Sequence, residues 1–369
     1  MVLLEAGQRP FTIAESGRWP VWAPDGARLA VSLLEWQGTE LKSRLAIVGR
    51  SGGVLGEPYA TPPGVSPLIG PGVPHYVYWS PAGSELAVVA PSGNGLTLFI
   101  AAEDKGATPI VAGAPIFLAW SADGRWLLVH HETNLDLFDR VAGGRRTIAS
   151  GNAAGFRTPA FTDDSSLMAY AVVRESRVEV WCGPPGDRGA AEVWGRFQGS
   201  VAFAFVPGQH SLLVAAASSP EQSFFDQLLR LDAEGERTVL YRGALHAFFP
   251  SPDGRRVALV TPGHRPDGRL VVQARDVWEG RLLAVSDWFS PSTPQTTVFA
   301  FFDQFQRSHR MWTPDGQWFA VCGFLLGDAL SPILGDGRPR LLCWPAERGS
   351  PWYTGEPGEL AFFPPAMTL

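Results

Sequence analysis

Charge is scarce in this sequence. Only 18% of its 369 residues are Asp, Glu, Lys or Arg, against about 25% in an ordinary soluble chain. What charge there is leans acidic, with a formal net of −6 at pH 7. Non-specific nucleic-acid binders carry a basic patch or stripe, so that class is excluded. Long apolar runs are missing as well. None approaches the ~18 residues that a membrane-crossing helix needs, which excludes insertion by helices. The N-terminus, MVLLEAGQRPF, lacks the basic-then-apolar order of a secretory leader, so a cytoplasmic location is expected. Cysteine is nearly absent too. Cys182, Cys322 and Cys343 form an odd set without metal-ligand spacing, and buried free thiols are the expectation. Cys322 and Cys343 stand on consecutive predicted strands of one repeat.

Glycine, proline and aromatics are abundant. The 41 Gly and 32 Pro suit a chain that turns every few residues, and the 45% apolar share excludes disorder. Fourteen Trp and 22 Phe supply wide, flat groups able to fill space between splayed sheets. These residues follow a repeat, clearest at residues 311–321, MWTPDGQWFAV. Thr313-Pro314-Asp315-Gly316 spells a type I turn: Pro314 presets φ, Asp315 can bond its own backbone, and Gly316 closes the turn. A large aromatic precedes the turn and an apolar run of strand composition follows it.

Further copies lie at residues 21–31 (VWAPDGARLAV), 78–88 (YWSPAGSELAV), 119–129 (AWSADGRWLLV) and 249–259 (FPSPDGRRVAL). Two decayed copies occupy 160–170 (AFTDDSSLMAY) and 204–214 (AFVPGQHSLLV), making seven in all. The aromatic position advances through 22, 79, 120, 161, 205, 250 (here a proline) and 312. A hairpin signature repeated about every forty residues marks a β-propeller blade.

The unit resembles the PD40 repeat of TolB-like propellers, a relative of WD40, which carries W-S-P-D-G before an apolar strand. The resemblance runs from about Thr12 to about Thr354. It implies an all-β chain: a seven-bladed β-propeller of four-stranded antiparallel blades in a single domain over residues 1–369. Blades would start near residues 20, 76, 117, 158, 202, 246 and 309, with long loops at 51–74 and 290–310. Residues 11–14 are expected to lend an outer strand that closes the ring. Residues 351–354 compete for that role, and residues 360–365 (LAFFPP) begin an eighth motif that stops before its turn. Eight blades is therefore the alternative. Residues 219–231 start like a helix with Ser-Pro, but the repeat demands a strand near 227–231.

Inner strands of a propeller line a central channel whose mouth commonly binds ligands. Four residues before each motif aromatic stand Arg18, His75, Ile116, Arg157, Val201, His246 and Ser308, with His309 next to the last. Arg18, His75, Arg157, His246 and His309 are thus the candidate ligand-binding set, suited to an anionic small ligand or a peptide carboxylate. The long loops are the other place for a protein or peptide partner. No catalytic residue and no cofactor is assigned on this reading. The resemblance also offers an enzyme. Oligogalacturonate lyases of this family hold a divalent metal such as Mn on histidines and a glutamine in the channel, where they act on an acidic saccharide. By that likeness His246, Gln304, Gln306 and His309 would be the metal set, although Arg307 and Met311 stand where a second, closely spaced His is needed.

Other motifs have a structural reading. Gly49-Arg50-Ser51-Gly52-Gly53 matches G-x-S-x-G, but it opens a Gly-rich loop rather than a strand–turn–helix elbow. His130 and His131 are strand neighbours, so they face opposite ways and cannot chelate one ion. Asp163-Asp164 lacks the further oxygen ligands of a calcium loop. Asp25, Asp123, Asp164, Asp253 and Asp315 sit inside the repeated turns. The function expected is a non-catalytic binding scaffold, without nucleic acid or membrane insertion.

Overall fold

All seven turn signatures close with the same pair of backbone hydrogen bonds in the computed structural model. In the first, the Gly26 N–H donates to Ala23 C=O and the Ala23 N–H to Arg28 C=O. The other six begin at Ser80, Ser121, Thr162, Val206, Ser251 and Thr313, and all fourteen bonds measure 2.8–3.0 Å. The motif aspartates are turn residues. Asp25, Asp123, Asp164, Asp253 and Asp315 each accept the N–H two residues on, at 2.8–3.1 Å. Hydrogen bonds from Ser166 and Thr162 hold the Asp164 carboxyl well below the usual carboxylate range. The fifth copy, lacking Asp, has Gly208 with φ +71° at the third position, as a type II turn requires after proline.

The structure describes residues 2–3, 11–14, 16–93, 95–154, 157–263, 268–325, 338–347 and 349–365. The chain falls into two compact units. The first comprises Met1–Ile116 with Pro364–Leu369. There β1 (Val2–Leu3) pairs with β2 (Phe11–Thr12). One sheet follows in the order β3 (Gly17–Trp22), β4 (Arg28–Gln37), β5 (Glu40–Gly49), β6 (Val54–Ala60). A second runs β7 (Tyr76–Trp79), β8 (Leu86–Ser92), β9 (Gly95–Ala102), β10 (Gly106–Ala112). Val21, Leu45, Ile47 and Tyr59 of the first pack on Val77, Leu86 and Val88 of the second. The indole of Trp79 donates to Val21 C=O at 3.0 Å, so the motif aromatic ties one repeat to the previous one.

Two expectations change here. Residues 51–74, read as loop, contain β6. An outer edge strand tolerates Pro58, because its missing N–H leaves no ladder bond unmade. Residues 11–14 do not become an outer strand of a four-stranded sheet; among the described residues β2 pairs with β1 alone.

The second unit spans Phe117–Phe363. Three four-stranded antiparallel sheets come first. They are β11 (Ile116–Trp120), β12 (Trp126–His131), β13 (Asn134–Asp139), β14 (Gly144–Ala149); β15 (Ala160–Phe161), β16 (Met168–Arg174), β17 (Arg177–Gly183), β18 (Glu192–Phe197); and β19 (Val201–Phe205), β20 (Leu212–Ala216), β21 (Phe225–Leu231), β22 (Arg237–Leu245). The strand expected near 227–231 is β21. The last two repeats share one sheet of eight strands. It contains β23 (Ala247–Pro250), β24 (Arg256–Pro262), β25 (Leu270–Asp276), β26 (Leu282–Val285) and β27 (Phe289–Pro291), then β28 (Trp318–Leu325), β29 (Arg340–Pro345) and β30 (Trp352–Pro357). Strand β27 joins the halves, pairing with β25 at Leu270 and with β28 from Gly323 to Leu325. In the last repeat the inner strand shrinks to a bridge between Trp312 and Phe319, while β30 supplies an outer strand. Cys322 and Cys343 lie diagonally on β28 and β29, opposite Leu341 and Ala320, and both thiols are free and buried.

The expected loop at 290–310 is instead two helices, α1 (Thr293–Ala300) and α2 (Phe302–Ser308). Ser292 caps α1 by accepting the Gln295 N–H, and a proline stands in the first turn. Gln295, Val298, Phe299, Phe302 and Phe305 are buried at helical spacing. No helix among the described residues is long and apolar enough to cross a membrane.

Candidate functional site

Helix α2 packs against the inner strands of the second unit, and its side chains bond their open edges. The Gln304 amide forms a two-bond pair with Leu118 of β11: Oε1 accepts the N–H at 3.0 Å and Nε2 donates to the C=O at 3.3 Å. Thr158 Oγ1 also donates to Gln304 Oε1, at 3.3 Å. Asp303 Oδ2 accepts the Thr158 N–H at 3.0 Å. Arg307 donates to Phe203 C=O of β19 at 3.4 Å. The Phe302 ring lies 5.1 Å from that of Phe248 on β23. Helix α1 repeats the device, with Gln295 Oε1 accepting the Cys322 N–H of β28 at 3.0 Å. Buried backbone groups left open at a strand edge need such partners.

Arg157 is brought to this cluster by Thr158, its neighbour in sequence. Its guanidinium lies 5.3 Å from the centre of the Phe225 ring. Burial lowers its pKa, and the Asp303 carboxylate works in the opposite direction. The Arg157 carbonyl lies 2.9 Å from His130 Nδ1, while Nε2 of that ring faces Glu132 C=O at 3.0 Å. His131 points elsewhere, to Asp136 at 2.6 Å, as strand alternation requires.

The remaining candidates are placed differently. In the first unit Arg18 is exposed on β3 and His75 is buried. The His75 ring nitrogens lie 2.9 Å from Ser32 Oγ and 3.2 Å from Ser43 Oγ, and burial lowers its pKa to about 4. In the second unit His246 is exposed beside β23, whereas His309 is only 3% exposed. The His309 ring sits between Phe305 and Phe362, at centroid distances of 5.1 and 4.3 Å. Its Nδ1 lies 2.7 Å from Ser308 Oγ, and burial lowers its pKa to about 3. The Gln306 amide and His309 Nε2 are buried with no hydrogen-bond partner among the described residues.

These positions do not fit a divalent metal. Gln304 gives its amide to Leu118, while His246 is exposed and His309 is enclosed by rings. No cluster of three His, Cys, Asp or Glu able to hold a metal ion occurs among the described residues. The G-x-S-x-G match is a turn between β5 and β6, closed from Gly49 N–H to Gly53 C=O at 2.8 Å.

The histidines give an acid-side prediction. A base whose folded pKa lies below its unfolded value of about 6.5 takes up its proton more readily when unfolded. The stability tied to His75 is therefore complete above pH 6.5 and lost as pH falls toward its folded value of about 4. Denaturant titrations across that window should show a loss of roughly 3 kcal/mol from this group. The His75→Gln variant should have a shallower slope there, and an unchanged slope would contradict the assignment. Neither His75 nor His309 gains charge at mildly acidic pH, and burial lowers the pKa of His246 as well, so the standing positive charge among these positions is Arg18 in the first unit and Arg157 in the second.

Compared with known protein families, the sequence matches none, and it matches no curated protein. Solved structures do share the fold. An oligogalacturonate lyase in complex with manganese aligns over 88% of this chain and 83% of its own, at 13% identity and TM-score 0.55. A eukaryotic initiation factor aligns over 95% and 90%, at 13% identity and TM-score 0.52. TolB from Acinetobacter baumannii aligns over 87% and 78%, at 16% identity and TM-score 0.43. The fold is thus the β-propeller that the repeats imply. At such identities the likeness concerns fold alone.

Proposed function

We propose that this chain is a binding scaffold, with a protein or peptide as partner and an anionic small ligand as the second chemistry its exposed basic side chains accept. The supporting observation is that two polar side chains of α2, Gln304 and Asp303, are taken up by backbone partners. Gln304 pairs with the Leu118 backbone and Asp303 with Thr158, so neither is turned toward a substrate. A general base or metal ligand must reach a reacting atom. Recognition then belongs to exposed features such as Trp36, 71% exposed at the tip of the β4–β5 hairpin. Three free, buried cysteines support a reducing, cytoplasmic setting.

Metal analysis of the purified protein tests this against lyase action on an acidic saccharide. One stoichiometric Mn, Fe or Ni per chain would overturn the scaffold reading. Citrate at low ionic strength is expected to raise the melting temperature by ligand linkage. Arg18→Ala is expected to remove that shift. If no carboxylate or phosphate shifts melting, the anion is dropped and the macromolecular partner remains.

A further inference from the structure

Residues 358–363 cross the insert as irregular chain. The Gly358 N–H donates to Pro339 C=O at 2.8 Å, and Ser292 Oγ donates to Glu359 C=O at the start of α1. Phe362 then stands edge-on to His309, and the Phe363 N–H donates to Arg310 C=O at 2.8 Å. This place is open because the inner strand of the last repeat has shrunk to the Trp312–Phe319 bridge. The segment bonds the vacated edge at Arg310 and puts an aromatic anchor over the end of α2.

The fit is incomplete. The Gln306 amide and His309 Nε2, three residues apart at the end of α2, are sealed in without partners among the described residues. A buried polar group left unbonded is costlier than one that is bonded. A segment that kept the aromatic anchor and supplied hydrogen bonds to these atoms would bind better than the chain's own. Resting on the scaffold reading above, we propose that residues 358–363 form a displaceable strap over a peptide-docking seat. The partner is an extended segment of another protein, with an aromatic anchor where Phe362 lies and uncharged hydrogen-bonding side chains beside it. Neutral groups are required because Gln306 carries no charge and burial keeps His309 neutral. Binding would use main-chain pairing for affinity and the aromatic seat for selectivity.

Two measurements test this. In the native protein, hydrogen exchange at the Phe363 amide should proceed by local opening insensitive to denaturant, while the Ala320 amide, bonded to Met311 C=O at 2.8 Å, exchanges only on global unfolding. A fluorescent peptide of residues 358–365, GELAFFPP, should bind the Phe362→Ala variant at least tenfold tighter than the native protein. Adding His309→Ala should remove that gain. Equal peptide affinity for native protein and variant would overturn the proposal. So would a variant that dimerises without binding peptide, since the seat then takes a second copy. If Phe362→Ala does not fold, exchange at Phe363 decides: a rate tied to global unfolding refutes the strap. Failure here with a persisting citrate shift removes the strap and leaves the scaffold reading standing.

Discussion

Gly254→Val is expected to destabilise the protein by about 3 kcal/mol or more, well beyond the same change at Gly316, Gly64 or Gly53. Gly254 has φ +65°, and a Cβ there would lie 2.2 Å from Pro207 C=O in the preceding repeat's turn. The left-handed backbone alone costs a β-carbon residue about 1–2 kcal/mol, and displacing packed atoms adds about 1–3 kcal/mol. Gly64 has φ +75° with nothing within 4 Å of its Cβ position, so it should show only the backbone part. Gly53, with neither feature, should show almost nothing. Gly316 falls between Gly254 and Gly64. Its φ is +66°, but the neighbour at 3.1 Å is the Asp253 carboxylate, a side-chain end that can move. Denaturant unfolding of the four variants should return that order. Equal losses would mean that the repeated turns are not packed on one another.

Asp303→Ala is expected to have the second large effect, about 1–3 kcal/mol, as when a buried donor loses its acceptor. The change leaves the Thr158 N–H without its acceptor and the half-buried Arg157 without the carboxylate that offsets its burial. Adding Arg157→Leu should restore part of the loss, because no charge then remains to be compensated. A double-mutant cycle by denaturant unfolding measures the coupling. If the two losses simply add, within ~0.5 kcal/mol, the pair is not coupled and α2 is held by its aromatic contacts.

The hairpins were legible because each turn writes its own instructions within six residues. Pro314, Asp315 and Gly316 specify a conformation that no distant contact needs to supply. Strand β21 was legible against a local helix signal, since register across repeats outweighs propensity in one segment. The insert was misread as loop for lack of a repeat to place it. Its signals were present in Ser292, the following Thr-Pro, and the apolar spacing through 298, 299, 302 and 305. For the site, counting back from the motif aromatic found strand ends, including Arg157. It could not find what meets them, because Asp303 and Gln304 come from the far end of the chain. Periodicity reports which face of a strand is buried and says nothing of its eventual neighbour. Gln304 was noticed for the ligand chemistry of its amide, yet that amide takes the place of a neighbouring strand.

The bond between Leu118 and Gln304 spans 186 residues. Loop-closure entropy opposes contacts of such separation, so they form late in folding. On the ribosome, β11 emerges long before the glutamine that caps it has been synthesised. The inner edges of the nascent repeats must therefore stay hydrated, or be shielded by a chaperone, until α2 is translated. Translation order thus lets the insert be seated only after all three four-stranded sheets of the second unit have been synthesised.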